Sequence, residues 1–526
     1  NYIFGALAGT DADNYSVIPT FIKERPVMTP IEEGPLKGGM KLDFELREEA
    51  AWDNGTPMTG HDYAFTLKAI LNPKTNCQPL KPYFDWLYDV VVDSTNPKKF
   101  TVYSKEKYFK IEETASGYIL PEYAYDPNQV MRKFAIQDLN SDEKRNKLKE
   151  NADIQAFANE FNSEKHMREK GGIVGAGPYE FEEWVTGQKI VLKKKKNWWG
   201  DKLKDNRAFY AFPEKIVFKV INDPATTLTA LKDGQLDCEH GVQPKPFEEL
   251  LKNEKFKEKY RVENPSIFAY TFIGFNIKNK KLDDVRVREA FAHCINKKQI
   301  NETINFNKNT LVETFVHPQQ KHYVDLPAFE YNLDKARQLL DEAGWKDSDG
   351  DGIRDKVIKG EKVKLSLEYK VNTNESRKNT GLLIKEDLKK VGIDLTIVTR
   401  EWAVYLQDLD KKEFEITYGS FTMSPTMSDP KQQWHTSSAV EGGSNNTQWG
   451  NAQSDKLIDD LRAELDENKR VEMYKQLQTM IHKDIPCVFM FIPANRMAIS
   501  KRFDVKTTML DPGFQLSEFK LVQSGK

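Results

Sequence analysis

Four aspartates hold the most explicit chemistry in this sequence. Asp347, Asp349 and Asp351 stand at the first, third and fifth positions of a calcium-loop pattern, Gly352 at the sixth and Asp355 at the ninth. Carboxylates at alternate positions of a tight turn can converge on one hard cation. The twelfth position is Ile358, where such a loop needs a bidentate glutamate. The stretch therefore reads either as a structural calcium site or as a plain acidic turn. In neither case would it be catalytic, and no other cofactor is required. Nucleophile and phosphate signatures are missing: there is no GxSxG elbow, no GxxxxGK(S/T) loop and no HExxH pair. The 8 histidines are scattered, and His317 and His322 are too unfavourably spaced to share a metal. With 80 acidic residues, a carboxylate pair can be picked anywhere and carries no signal. The positive evidence is aromatic. Trp402, Phe421, Trp434 and Trp449 supply flat apolar faces suited to covering ligand side chains or sugar rings, and each also reads as ordinary core.

Elements must position these groups. The chain has 526 residues, 39% hydrophobic and 30% charged, which suggests a soluble globular protein of roughly three domains. A net charge of −2 from 78 basic and 80 acidic residues argues against a nucleic-acid partner. The one dense basic run, Lys193 to Lys196, reads as a solvated strand face. No apolar run reaches the ~18 residues that a membrane helix needs. Four cysteines lie far apart without CxxC spacing; one or two disulfides and buried free thiols fit equally.

Between Gly171 and Gly200 a turn, Val174-Gly175-Ala176-Gly177-Pro178-Tyr179, opens a hairpin that closes on Asn197-Trp198-Trp199-Gly200. The two glycines allow positive φ or close backbone approach. Leu42, Phe44 and Leu46 alternate as a strand and run into a Trp52-to-Asp62 box with an Asn54-Gly55 turn and Thr59 as a helix cap. Ile216, Phe218 and Val220, the helix after Asp223-Pro224, and Leu236 to Cys238 read as a βαβ-like unit. Phe268 to Asn276 is an apolar strand. Val287, Ala290, Phe291, Cys294 and Ile295 form one buried helical stripe. A strand through Leu365 to Tyr369, a helix with Ile384 and Leu388, and a strand through Ile393 to Ile397 predict a parallel crossover. That crossover places Trp402 at the carboxyl edge of a sheet, where α/β ligand sites tend to lie. Residues 420–453 lack periodicity, and loops of that length are usually functional.

In order, GxGPY with its hairpin, the Trp52-Asp53-Asn54-Gly55-Thr56-Pro57-Met58-Thr59 box and the Asp284-Val285-Arg286-Val287-Arg288 helix start resemble the signatures of family 5 extracellular solute-binding proteins. These are the peptide-, nickel- and oligosaccharide-binding components of bacterial ABC importers. The resemblance spans nearly the whole chain. It implies a two-lobed α/β fold of the type II periplasmic-binding kind, with an extra domain inserted in the first lobe and hinge strands between lobes. The expected division is residues 1–25, 166–272 and 487–526 for lobe I, 26–165 for the extra domain and 273–486 for lobe II. It further implies export with a lipid anchor, a mature or trimmed chain here, a monomer, and permease and ATPase partners. A peptide-like solute is the expected cargo, with an oligosaccharide or another solute as the alternative and a secreted hydrolase as the rival of another class. Trp402 matches the family's ligand-facing tryptophan. Tyr270 and Phe268 on the crossing strand, with Phe421, Ser424, Asp429, Trp434 and Trp449 in the long loop, complete the expected ligand-binding set. The family's aspartate for a peptide ammonium aligns with Ser424 or Thr426, neither charged, and Asp429 is the substitute nearest to hand.

Overall fold

The computed structural model describes residues 2–203 and 206–522; positions 1, 204, 205 and 523–526 of the expected lobe I ranges lie outside the described residues. The central element of the second lobe is a mixed six-stranded sheet. Its strand order is Thr310–Leu311, Cys487–Ile492, Ala269–Phe275, Ile416–Thr422, Ser366–Val371 and Asp394–Thr399. Ser366–Val371 pairs in parallel with both Asp394–Thr399 and Ile416–Thr422. The helix Glu375–Lys389 makes the crossover that the sequence predicts. Ala269–Phe275 runs antiparallel to both its neighbours.

Ala269–Phe275 is apolar except for Thr271, whose hydroxyl donates to Phe491 O (3.3 Å), because both faces of the sheet are covered. Ile273 and Phe275 enter one core with the helix stripe of Val287, Ala290 and Phe291. Tyr270 and Phe272 enter another with Ile458, Leu461, Tyr474 and Leu477. Two-residue alternation thus serves two cores at once. Gly419 is required opposite Phe272, since a Cβ there would fall 2.3 Å from the Phe272 ring.

A second sheet, Cys238–Glu239, Met497–Ser500 and Tyr260–Glu263, belongs to the first lobe. Two connections join it to the six-stranded sheet, at residues 264–268 and 493–496, rather than at the expected 272/273 and 486/487. The connections are tied to each other: Ile267 N donates to Pro493 O (3.2 Å) and Asn495 N to Pro265 O (2.8 Å). The result is a two-lobed α/β fold with a paired hinge.

Residues 26–165 contribute a four-stranded sheet, Val27–Pro30, Met40–Glu45, Lys99–Ser104 and Leu87–Val92, and the helix Gly60–Leu71. They share one continuous core with Leu7, Phe21, Phe181, Trp198 and Ile216 of the first lobe. The GxG turn is a close-approach motif: a Cβ on Gly175 would lie 2.3 Å from Ile3 O, and one on Gly177 2.4 Å from Tyr2 O. Lys195 corrects the reading of the basic run as a solvated face. It is buried, donates to Gly175 O (2.6 Å) and pairs with Asp53 (2.7 Å). The βαβ-like unit is also corrected. Lys215–Lys219 joins the Tyr179–Val185 and Lys189–Lys194 hairpin, whereas Cys238–Glu239 pairs with Met497–Ser500, so the helix Pro224–Lys232 bridges two sheets. All four cysteines are free thiols.

Candidate functional site

The carboxyl end of Ile416–Thr422 feeds the loop that forms one wall of the interlobe seam. Met423 N donates to Phe268 O (2.8 Å), fixing the loop to the hinge. Gln320 then holds it from below: one side-chain amide donates to the carbonyls of Ser424 (2.9 Å), Pro425 (3.2 Å) and Thr426 (3.0 Å). The opposite wall comes from the helix Gly60–Leu71, the turn Gln78–Phe84 and residues 108–118.

The walls meet directly. Tyr108 donates to Asp429 (2.7 Å), Tyr83 to Gln432 (2.9 Å), Lys110 to Met427 O (3.1 Å), and Lys431 pairs with Asp85 (2.9 Å). Phe109 N donates to Arg462 O (2.9 Å). The seam is closed along this line.

Behind it lies a cavity of about 410 Å³. Tyr63, Leu67 and Ile70 face it from the first lobe, and Tyr270, Phe315 and Tyr474 from the second. A neighbouring space of about 240 Å³ is bordered by Gly9, Thr10, Tyr15 and Ser116 and by Pro425 and Thr426. Ser424 and Glu113 border both. A third space of about 950 Å³ lies on the other side of the Tyr83–Gln432 and Asp85–Lys431 contacts.

The charges of the main cavity are Lys110, Glu113 and Asp429. Asp429 accepts from Tyr108, from Arg462 Nε (2.9 Å) and from Lys431 N (2.9 Å), and the Arg462 guanidinium lies over the Tyr108 ring at 4.7 Å. Burial, and then the Asp429 charge, raise the Tyr108 phenol well above its ordinary value. Burial, followed by Asp429 and Glu113, pushes Tyr83 up to about 12. His322 stacks edge-on against Tyr474 at 4.6 Å, and burial, with Lys110 nearby, brings it down to about 4. The cleft is thus lined by aromatic rings, and burial keeps the Tyr108 and Tyr83 phenols and the His322 imidazole in their neutral forms near neutral pH.

The expected ligand-binding residues separate into four groups. Tyr270, Ser424 and Asp429 line the cavity. Phe421 stacks on Phe272 (5.5 Å) behind it, and Phe268 packs edge-on between Tyr15 and His317 (5.0 Å each). Trp434 and Trp449 are corrected from cleft to core. They are 4% and 2% exposed, edge-to-face at 6.0 Å, and Trp449 Nε1 donates to Asp484 (2.9 Å). Trp402 is 49% exposed and stacks on Tyr405 (5.8 Å). It does sit at a carboxyl edge, but over the outermost strand, and it borders neither cavity. Sequence reasoning missed Lys110, Glu113, Tyr63 and Tyr83. The Thr59 cap and apolar face of the 60–71 helix were a signal for Tyr63; the irregular 78–118 stretch offered none for the others.

The acidic loop is partly ion-paired, with two lysines against its four aspartates. Carboxylate oxygens of Asp347, Asp349 and Asp355 lie within 4.8 Å of one another. Lys362 pairs with Asp349 (2.9 Å) and Asp355 (3.3 Å), Lys364 pairs with Asp351, and Asp347 accepts from Gly350 N and Gly352 N. Asp347, Asp349 and Asp355 thus converge as the spacing predicts, while Asp351, the fifth-position carboxylate, pairs with Lys364 instead of joining them.

Comparison with known proteins accords with this architecture. The family model for bacterial extracellular solute-binding proteins, family 5 Middle, matches residues 33–443. The oligopeptide-binding protein AppA of Bacillus subtilis (strain 168) is 26% identical over 507 residues, covering 94% of this chain and 84% of that protein. The nickel-binding periplasmic protein of Escherichia coli (strain K12) is 24% identical over 336 residues, covering 62% of this chain and 60% of that protein. The solved structure of Bacillus subtilis AppA in complex with a nonapeptide superposes with a TM-score of 0.79 at 24% identity, over 99% of this chain and 94% of that one. A paired hinge, a closed seam over an aromatic cavity and a family match across most of its length lead to one conclusion: this chain belongs to the bacterial extracellular solute-binding proteins of family 5.

Proposed function

We propose that the protein is the extracytoplasmic substrate-binding component of an ABC importer and that it encloses a peptide-like solute between its lobes. The observation that carries this reading is the 410 Å³ cavity on the seam, walled by both lobes, which are joined through the 264–268 and 493–496 connections. A ligand touching both walls binds the closed state better than the open one, and that difference drives closure. Names among the relatives, which include oligopeptide- and dipeptide-binding proteins, support a peptide over a metal complex or a sugar. The closed form is what a permease and its ATPase would recognise. No bond is made or broken; both carboxylates of the cavity are already engaged, Asp429 by Arg462 and Glu113 by Lys110. The acidic loop serves as an ion-paired turn, and added calcium should leave the melting temperature unchanged.

The test is native mass spectrometry of protein purified without denaturation, followed by incubation with the solute recovered. Binding with the solute returned intact, a higher melting temperature and a smaller radius of gyration are expected. Cleavage of the solute would replace this reading with a hydrolase.

A further inference from the structure

We infer that the 410 Å³ cavity selects an uncharged, bulky apolar group of the ligand and rejects charged ones. The inference rests on the solute-binding reading and specifies the substrate class for that site.

The argument is a charge inventory. Lys110 is buried and has three N–H donors. They are directed to Glu113 (2.8 Å), Met427 O (3.1 Å) and Ser424 Oγ (3.3 Å). Asp429 receives Tyr108, Arg462 and a backbone amide. Lys110 and Asp429, the two buried charges facing the cavity, are therefore satisfied within the protein, and the third, half-exposed Glu113, spends one carboxylate oxygen on Lys110. A ligand carboxylate would find no unengaged cation there, and a ligand ammonium only Glu113, which it would share with Lys110 and with solvent. The carboxylate would lose its hydration without a partner, and the ammonium would gain only a carboxylate already paired, so both are disfavoured against an apolar group. The hydroxyls nearby are committed too: Tyr63 donates to Ala115 O (2.7 Å), Tyr83 to Gln432 and Tyr270 to Gln433 (2.9 Å). What remains is mostly ring and aliphatic surface from Tyr63, Leu67, Ile70, Phe315 and Tyr474, beside the neutral side chains of Thr114, Thr422 and Ser428. Such a wall repays burial of an aromatic or branched aliphatic group.

The experiment is calorimetric titration with end-blocked pentapeptides, acetyl-Ala-Ala-X-Ala-Ala-amide, where X is Phe, Leu, Gln, Lys or Glu. Phe and Leu should bind at least about tenfold more tightly than Lys and Glu. Two variants test the cause. Asp429→Asn frees the Arg462 charge and should shift preference toward X = Glu by about tenfold or more. Lys110→Met frees Glu113 and should shift it toward X = Lys. Equal affinity across the panel, or variants that leave the order of preference unchanged, overturns the charge argument while leaving peptide binding intact. If no member binds, the peptide reading falls instead. The solute retained in native mass spectrometry then decides the inference: an uncharged apolar moiety supports it, and a solute charged on every sizeable group overturns it.

Discussion

Trp402 and Trp434 carry the same indole into opposite environments. Trp434 is wedged against Phe315, Trp449 and Phe489. Trp434→Ala should cost about 3–5 kcal/mol in urea unfolding, the range for a large buried aromatic. Trp402→Ala should stay within roughly 0.5–1 kcal/mol, as for other exposed positions. The reverse order would mean that the two side chains have exchanged roles. His322 makes a pH prediction. Its folded pKa of about 4 lies below the ordinary 6.5. The unfolded chain therefore takes up a proton that the folded chain refuses between those values. Stability from this group is complete above the ordinary value and is lost as pH falls toward about 4, by about 3 kcal/mol across the window. The groups around it are Tyr474 and Lys110, and Gln478 donates to its carbonyl. His322→Gln should flatten the fall in melting temperature between about pH 7 and pH 4.5 relative to the unsubstituted protein. An unchanged slope would show that the imidazole is not the titrating group.

At the scale of elements, two motifs invite direct tests. The GxG turn holds the incoming chain through Gly177 N to Ile3 O (2.7 Å) and Tyr179 N to Tyr2 O (3.0 Å). Gly177→Ala pushes a methyl group into that backbone and should destabilise the fold by about 1–3 kcal/mol. The Gln320 clamp shapes the 424–426 loop. Gln320→Glu keeps the size but removes the donors and sets a carboxylate against three carbonyls. Ligand affinity should fall by about tenfold or more. Affinity equal to that of the parent would remove the loop from the binding site. Most elements were legible in the sequence. The alternation of Leu42, Phe44 and Leu46, the Val287 stripe and the strand–helix–strand around Ile384 all reflect one-sided burial, which writes its period into the chain. Strand partners were less so. Lys215–Lys219 and Cys238–Glu239 have ordinary strand residues, and pairing with distant segments decides which sheet each joins.

For the whole molecule, the closed seam and the tied hinge predict a two-state response. Ligand should raise the melting temperature and lower the radius of gyration together, because both report the same closure. The rim pair Asp85–Lys431, with side chains 39% and 18% exposed, is a contact of convenience by comparison. Asp85→Asn should change affinity by less than about 1 kcal/mol, the usual worth of a surface ion pair. A larger loss would make the rim a latch.

The sequence by itself determined the apolar faces of most strands and helices, through periodicity and turn chemistry local along the chain, and its ordered motifs carried the resemblance that implied the family and the two-lobed architecture. Which side chains meet at the cleft was settled only by tertiary structure. Tyr108 and Asp429 are 321 positions apart, and no local pattern records that they touch. Tryptophan type announces large apolar area but not its address, so Trp434 and Trp449 could be read as cleft until the core claimed them. The acidic loop has the spacing of a metal site, and two lysines from the following strand region pair with three of its four aspartates. Charge balance of this kind depends on neighbours in space, and so it appears only when the chain is folded.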